Sequence, residues 1–252
     1  MNEYFIYNLL IWGFGILSII VFIILFFVSA PYGRHRRDNW GPEINNKIGW
    51  FLMEFPTVII YFYYFIIGNK IIMLVPIIFL ILWMVHYIQR ALIFPFLIRG
   101  ENKMPIVIMM FGLTFNTINS YLQSRWIYHF SDNYSINWIF NIAFISGIGV
   151  FLFGYGINLH SDYIIRNLRE SGDNAHKIPR GGLFKWVSCP NYLGEIIEWG
   201  GWAIMTWSLS GLIFFCWTFA NLAPRAHANH LWYQEKFPNY PDERKSLIPF
   251  VF

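Results

Sequence analysis

Glu54 stands in Trp50-Phe51-Leu52-Met53-Glu54-Phe55-Pro56, well inside an apolar run. An ionisable side chain at that depth is costly unless it is paired or faces a cavity, so chemistry is its first reading and polar glue between helices its second. Tyr87 lies in His86-Tyr87-Ile88-Gln89-Arg90. One tyrosine among 15 means little alone, but Arg90 is three residues on and shares its helix face. Antiparallel neighbouring helices would bring the two into one cavity. Trp50 and Arg90 are the expected neighbours of a substrate held there.

A second constellation closes a later apolar stretch, from Gly154 to Leu168 and Arg169. Asn158 and Asp162 could hold ribose hydroxyls or an adenine edge, and Arg166 and Arg169 could hold phosphates; a solvated helix end with ordinary arginines is the plain alternative. Gly181-Gly182 lets backbone N–H groups approach an anion, and Pro190-Asn191 can open a helix towards a phosphate. Further on stand Arg225, Asn229, Tyr233 and Arg244. His227 and His230, three apart, have no third ligand at helical spacing, so no metal site is expected. There is no Gly-x-Gly-x-x-Gly after a strand, which excludes a Rossmann domain. Gly147, Gly149, Gly154 and Gly156 sit in an apolar helix and are read as packing positions.

The elements that position these groups belong to a membrane. Of 252 residues, 56% are hydrophobic, 21% aromatic and 13% charged, about half the charge of a soluble domain. Stretches near 5–29, 48–67, 71–97, 104–123 and 137–157 are long enough to cross about 30 Å of hydrocarbon. A last stretch, 196–223, is broken at Ser208-Leu209-Ser210-Gly211, where a reversal would make two short helices. The expected fold is therefore all-α, a single domain of seven transmembrane helices over 1–252. Helices 1–4, about 5–123, would form much of the substrate cavity, and 137–252 would carry most cofactor loops. The first run is too long for a signal-peptide core and is read as a retained helix. All of the 18 lysines and arginines except Lys70, Arg90 and Arg125 fall in segments that lie inside if the amino terminus is outside and the carboxyl terminus cytoplasmic. With α-helical rise, Glu54 would lie roughly 9 Å and Tyr87 roughly 15 Å from the cytoplasmic face, on antiparallel neighbours. Cys189 and Cys216 suggest neither a disulfide framework nor a metal pair, and no charge block calls for nucleic acid.

The runs N-L-H-S-D-Y-I-I-R-N-L-R at 158–169, I-P-R-G-G-L-F at 178–184, N-Y-L-G-E-I-I-E-W at 191–199 and the ending R-K-S-L-I-P-F-V-F closely resemble the steroid 5α-reductases. F-L-M-E at 51–54 and H-Y-I-Q-R at 86–90 resemble the amino-terminal signatures of that family. The resemblance implies a seven-helix membrane reductase, NADPH as cofactor and a Δ4-3-ketosteroid as substrate. It further implies that Glu54 and Tyr87 hydrogen-bond the steroid carbonyl while hydride reaches the β carbon of the enone. Asn158, Asp162, Arg169, Lys177, Asn191, Glu195, Tyr233 and Arg244 are similar to its NADPH contacts, with Trp199 nearby. Arg34, Arg99, Arg166, Arg225 and Asn229 are added as candidate cofactor ligands on the inner side. Met53 stands where glutamine is usual, and His176 where tyrosine is common.

The remaining partners expected are membrane lipid and no nucleic acid, with the chain as a monomer in a bacterial inner membrane or, in a eukaryote, the endoplasmic reticulum. A trans-2-enoyl-CoA or polyprenal reductase of the same fold is the nearest alternative. A membrane methyltransferase binding S-adenosylmethionine would not need a buried Glu–Tyr pair. A transporter or lipid receptor would leave the polar residues of 158–199 without a task.

Overall fold

A computed structural model describes residues 2–31, 33–35, 37, 40–99, 103–132, 134–168 and 176–252. The long helices among them are α1 Glu3–Phe27, α2 Asn46–Ile66, α3 Leu74–Leu97, α4 Ile106–Arg125, α5 Ile142–Asn167, α6 Pro190–Thr206 and α7 Leu209–Lys236. Four of these described helices, α1, α2, α3 and α5, are long and apolar enough to cross a membrane. The outward side chains of α1, among them Leu9, Trp12, Ile16, Ile19 and Phe27, are large, apolar and exposed, as befits a membrane protein.

The chain forms two compact units. The first comprises Met1–Leu10 and Pro31–Phe144. Within it, a short ladder of β1 (Glu43–Asn45) and β2 (Lys103–Pro105) pairs Ile44 with Met104 antiparallel, an addition to the all-α expectation. Each strand runs straight into a helix, α2 and α4, so the ladder ties their starting points together. The helices then run parallel: Met104 lies over Gly49, Met53 over Gly112 and Tyr64 against Tyr121. Asn45 caps α2 through its side chain, which accepts from the Lys47 N–H at 2.9 Å.

In α3, Gln89–Ile93 forms a π turn. Pro95 has no N–H to give the carbonyl one turn earlier, and the Phe94 N–H reaches back to the Gln89 carbonyl instead. A second π turn, Trp126–Phe130, ends α4. There Arg125 donates to both carboxylate oxygens of Glu3 through one guanidinium edge, Nε at 2.8 Å and Nη2 at 2.5 Å.

The second unit comprises Ile11–Ala30 and Ile145–Phe252. Helices α5 and α6 are antiparallel and meet at backbone distance. A Cβ on Gly147 would strike the Met205 backbone, on Gly154 the Glu198 and Gly194 backbone, and on Gly201 the Phe151 backbone. Gly149 and Gly156 have nothing within 4 Å, so only half of the expected glycine contact exists. Helices α6 and α7 reverse at Trp207, in a left-handed conformation (φ 44°), while Ser208 serves as the N-cap of α7 by accepting from Gly211. The expected reversal at 208–211 is thus displaced, because Ser208 and Ser210 begin the next helix. The tail returns to the entry of α6: Ser188 N–H donates to the Lys245 carbonyl at 2.8 Å and Cys189 N–H to that of Ser246 at 3.2 Å.

Candidate active site

Four residues of α2 recur on one face at helical spacing: Trp50, Glu54, Thr57 and Tyr61. On α3 the corresponding set is Trp83, Tyr87 and Arg90. Tyr61 stacks on Trp83 with ring centres 4.4 Å apart, and the Trp83 indole N–H donates to the Thr57 carbonyl at 3.4 Å. At the other end the Arg90 guanidinium lies 4.8 Å from the Trp50 ring and 4.5 Å from that of Phe94. These contacts make α2 and α3 antiparallel neighbours. Glu54 lies four residues after Trp50 and Tyr87 three before Arg90, while Tyr61 is seven after Glu54 and Trp83 four before Tyr87, so the rise per residue puts the two within about one helical turn of each other. Both are buried. Tyr87 is fixed by Trp83 at 4.6 Å and His86 at 4.9 Å between ring centres.

Glu54 is gripped from a third helix. Asn116 of α4 donates from Nδ2 to Glu54 Oε2 at 3.1 Å and to the Met53 carbonyl at 2.8 Å. Sequence reasoning missed Asn116. Its signal was the spacing of Asn116, Asn119, Ser120, Gln123 and Ser124, which is one helix face, and all five are buried.

In the second unit, α5 does not stop near residue 157 but continues to Asn167. Asn158, Asp162 and Arg166 therefore share one helical face. The glycine contact brings that face to the start of α6, where Asn158 Nδ2 donates to the Asn191 carbonyl at 3.0 Å and Asn191 Nδ2 donates to Asp162 Oδ1 at 3.1 Å. Glu195 is half-buried one turn later. Arg166 lies 5.5 Å from the Tyr163 ring. Trp199 is buried in aromatic packing, 4.3 Å from Phe214 and 6.0 Å from Phe151. Arg225 donates to the Tyr192 hydroxyl at 3.1 Å, and Asn229 to Cys189 Sγ at 3.6 Å.

Arg244 carries the clearest sign of an anion site. It is buried, its Nη2 donates to the Pro179 carbonyl at 3.0 Å, and its Nε and Nη1 have no hydrogen-bond partner among the described residues. Buried guanidinium donors without acceptors are expensive, and a phosphate oxygen can accept from them. Tyr240 lies 5.1 Å from this guanidinium and stacks on Tyr233 at 5.2 Å. Pro179 leads into Gly181 and Gly182, whose φ values of 92° and 50° suit glycine. These residues fit an anionic cofactor.

The other candidates are more scattered. Lys177 is exposed. Arg34, half-buried in the turn Gly33–His35, and Arg99, exposed, belong to the first unit. Arg169 lies outside the described residues. His230 Nδ1 is 2.6 Å from Ser188 Oγ, which also meets the Tyr240 hydroxyl at 2.6 Å; His227 stacks on Phe252. Both histidines thus serve the docking of the tail.

The 3-oxo-5-alpha-steroid 4-dehydrogenase family matches residues 102–252, three fifths of the chain. The chain is 42% identical over 242 residues to the steroid 5-alpha-reductase DET2 of Gossypium hirsutum, covering 94% of each. It is 38% identical over 257 residues to 3-oxo-5-alpha-steroid 4-dehydrogenase 1 of Rattus norvegicus, covering 100% of this chain and 97% of the relative. With the human protein of that name it shares 41% over 226 residues, 89% of this chain and 87% of the other. The chain belongs to the steroid 5α-reductase family. As a member of the steroid 5α-reductases it is an oxidoreductase, and the polar groups on α2, α3, α5 and α6 are to be read in that light.

Proposed function

We propose that the chain reduces the Δ4 double bond of 3-oxo-Δ4-steroids to 5α-reduced 3-oxo-steroids with NADPH. The reading is supported by two buried groups, Glu54 and Tyr87, within about one turn of each other on facing helices, in a family whose members are named for this reaction. NADPH, when bound, would supply the hydride that reaches the β carbon of the enone. Tyr87 donates a hydrogen bond to the carbonyl oxygen, where negative charge develops. Glu54, as the carboxylic acid, donates a second or orients the phenol. Both act within an apolar surround, where such bonds count for more than in water. The α carbon then takes a proton from water or a relay.

Arg244, Asn158, Asp162, Asn191 and Glu195 are assigned to the cofactor, Arg244 to a phosphate. The reading includes seven crossings with the carboxyl terminus cytoplasmic. The β1–β2 ladder supports this parity, since it joins the segments before α2 and after α3, which two crossings would return to one face.

The test is conversion of progesterone or testosterone by the purified protein with NADPH. Wild type should yield the saturated 3-ketosteroid, and Glu54→Gln and Tyr87→Phe should each lower kcat by about a hundredfold. NADPH binding without product would instead favour an enoyl-thioester or polyprenal substrate.

A further inference from the structure

Resting on that reading of Glu54, we infer that Asn116 is a positioning residue that decides which oxygen of the Glu54 carboxyl carries the acidic proton. Asn116 is 5% exposed and reaches across from α4 with both donors of one amide engaged, on the Met53 carbonyl and on Glu54 Oε2. Two bonds from one planar group fix its plane. A flipped amide would set Oδ1 against the Met53 carbonyl, which can only accept, so that carbonyl sets the orientation and leaves an N–H for Glu54 Oε2.

The reach is short because the helices are close. One turn before Asn116 is Gly112, and a Cβ there would overlap the Met53 sulfur. The α2 backbone is also held at this level, since Thr57 Oγ1 donates to the Glu54 carbonyl at 2.5 Å. A neutral carboxyl has one oxygen that accepts well and one that carries hydrogen. An N–H on Oε2 makes Oε2 the acceptor and leaves the O–H on Oε1. Without Asn116 the carboxyl can rotate by half a turn and exchange the two, and a fraction of the enzyme then presents no donor to the substrate oxygen. Asn116 touches no substrate in this scheme and acts wholly through Glu54.

Helix glue would give the same hydrogen bonds, so the test must separate the two. Steady-state turnover of progesterone with NADPH is measured for wild type, Asn116→Ala, Glu54→Gln and the double variant, together with NADPH affinity and the thermal midpoint. Asn116→Ala leaves room without strain and should fold where a larger residue fails. Its kcat should fall about tenfold, the effect of losing one hydrogen bond to a charged or strongly polar group. KM for NADPH should stay within about twofold, since its assigned ligands lie elsewhere. In the Glu54→Gln background the same change should cost less than about twofold, because the group it positions is gone. A single variant with wild-type kcat, or a double variant that loses a further tenfold, overturns the inference and leaves the function standing. Wild type without turnover of any enone overturns both.

Discussion

At the scale of single residues, the site is a matter of donors placed where acceptors will come. Arg244 shows this most directly, for two of its buried nitrogens, Nε and Nη1, meet no acceptor among the described residues. Arg244→Gln keeps most of the volume and removes the charge. NADPH titration of that variant should give a KM raised tenfold or more, about the loss of a charge-assisted pair, while kcat at saturation changes less. Glu54 was legible in the sequence because a carboxyl in a run such as Phe51-Leu52-Met53 has no cheap structural explanation. Asn116 was not, because an uncharged amide in a membrane helix has one, and its grip on Glu54 depends on how α2 and α4 are paired, which neither stretch encodes alone.

At the scale of elements, glycine determines how close α5 and α6 come. Gly154→Ala would drive a methyl into the backbone of α6 and should lower stability by about 1–3 kcal/mol, seen as a lower thermal midpoint in detergent, with Asn158 and Asp162 moved from Asn191 and NADPH affinity reduced in step. Gly149→Ala, on the same helix with nothing within 4 Å, should leave both unchanged. Helix positions were readable from apolar length: 48–67 corresponds to Asn46–Ile66 and 104–123 to Ile106–Arg125. The end of α5 was not. Its polar residues read as a helix end just past the apolar span 137–157, yet they carry the helix on to Asn167, with Asn158 and Asp162 bonded to Asn191 of α6. Nor was the β1–β2 ladder, since three-residue strands are too short for an alternating pattern to register.

For the molecule as a whole, acid is the expected weakness. His230, beyond the apolar stretch of α7, is held below the usual histidine value, first by burial and then by the charges of His227, Lys245 and Arg244. A depressed histidine pKa means that the unfolded chain takes up its proton first. The contribution to stability is therefore complete above the ordinary value of about 6.5 and is lost as the pH falls below it. The thermal midpoint should drop between pH 7.5 and 5.5, and His230→Gln, which can still bond Ser188 Oγ, should flatten that dependence. Fold class and family were legible because most of the chain is either lipid-facing hydrocarbon or one of a few dense polar motifs. The return of the tail to Trp186–Cys189 was not, because it is fixed by backbone pairing between residues nearly sixty positions apart.

That return has a consequence for ligand binding. Arg244 meets Pro179 only when the tail is docked through Lys245 and Ser246 beside Ser188 and Cys189. An anion pocket at Arg244 would thus be an assembled object, absent from any state in which the tail has peeled away. By mass action, whatever occupies it adds its binding free energy to the docking of the tail and slows its release. The cofactor would then be both reactant and clasp, and an enzyme starved of it would be the one that proteases find first.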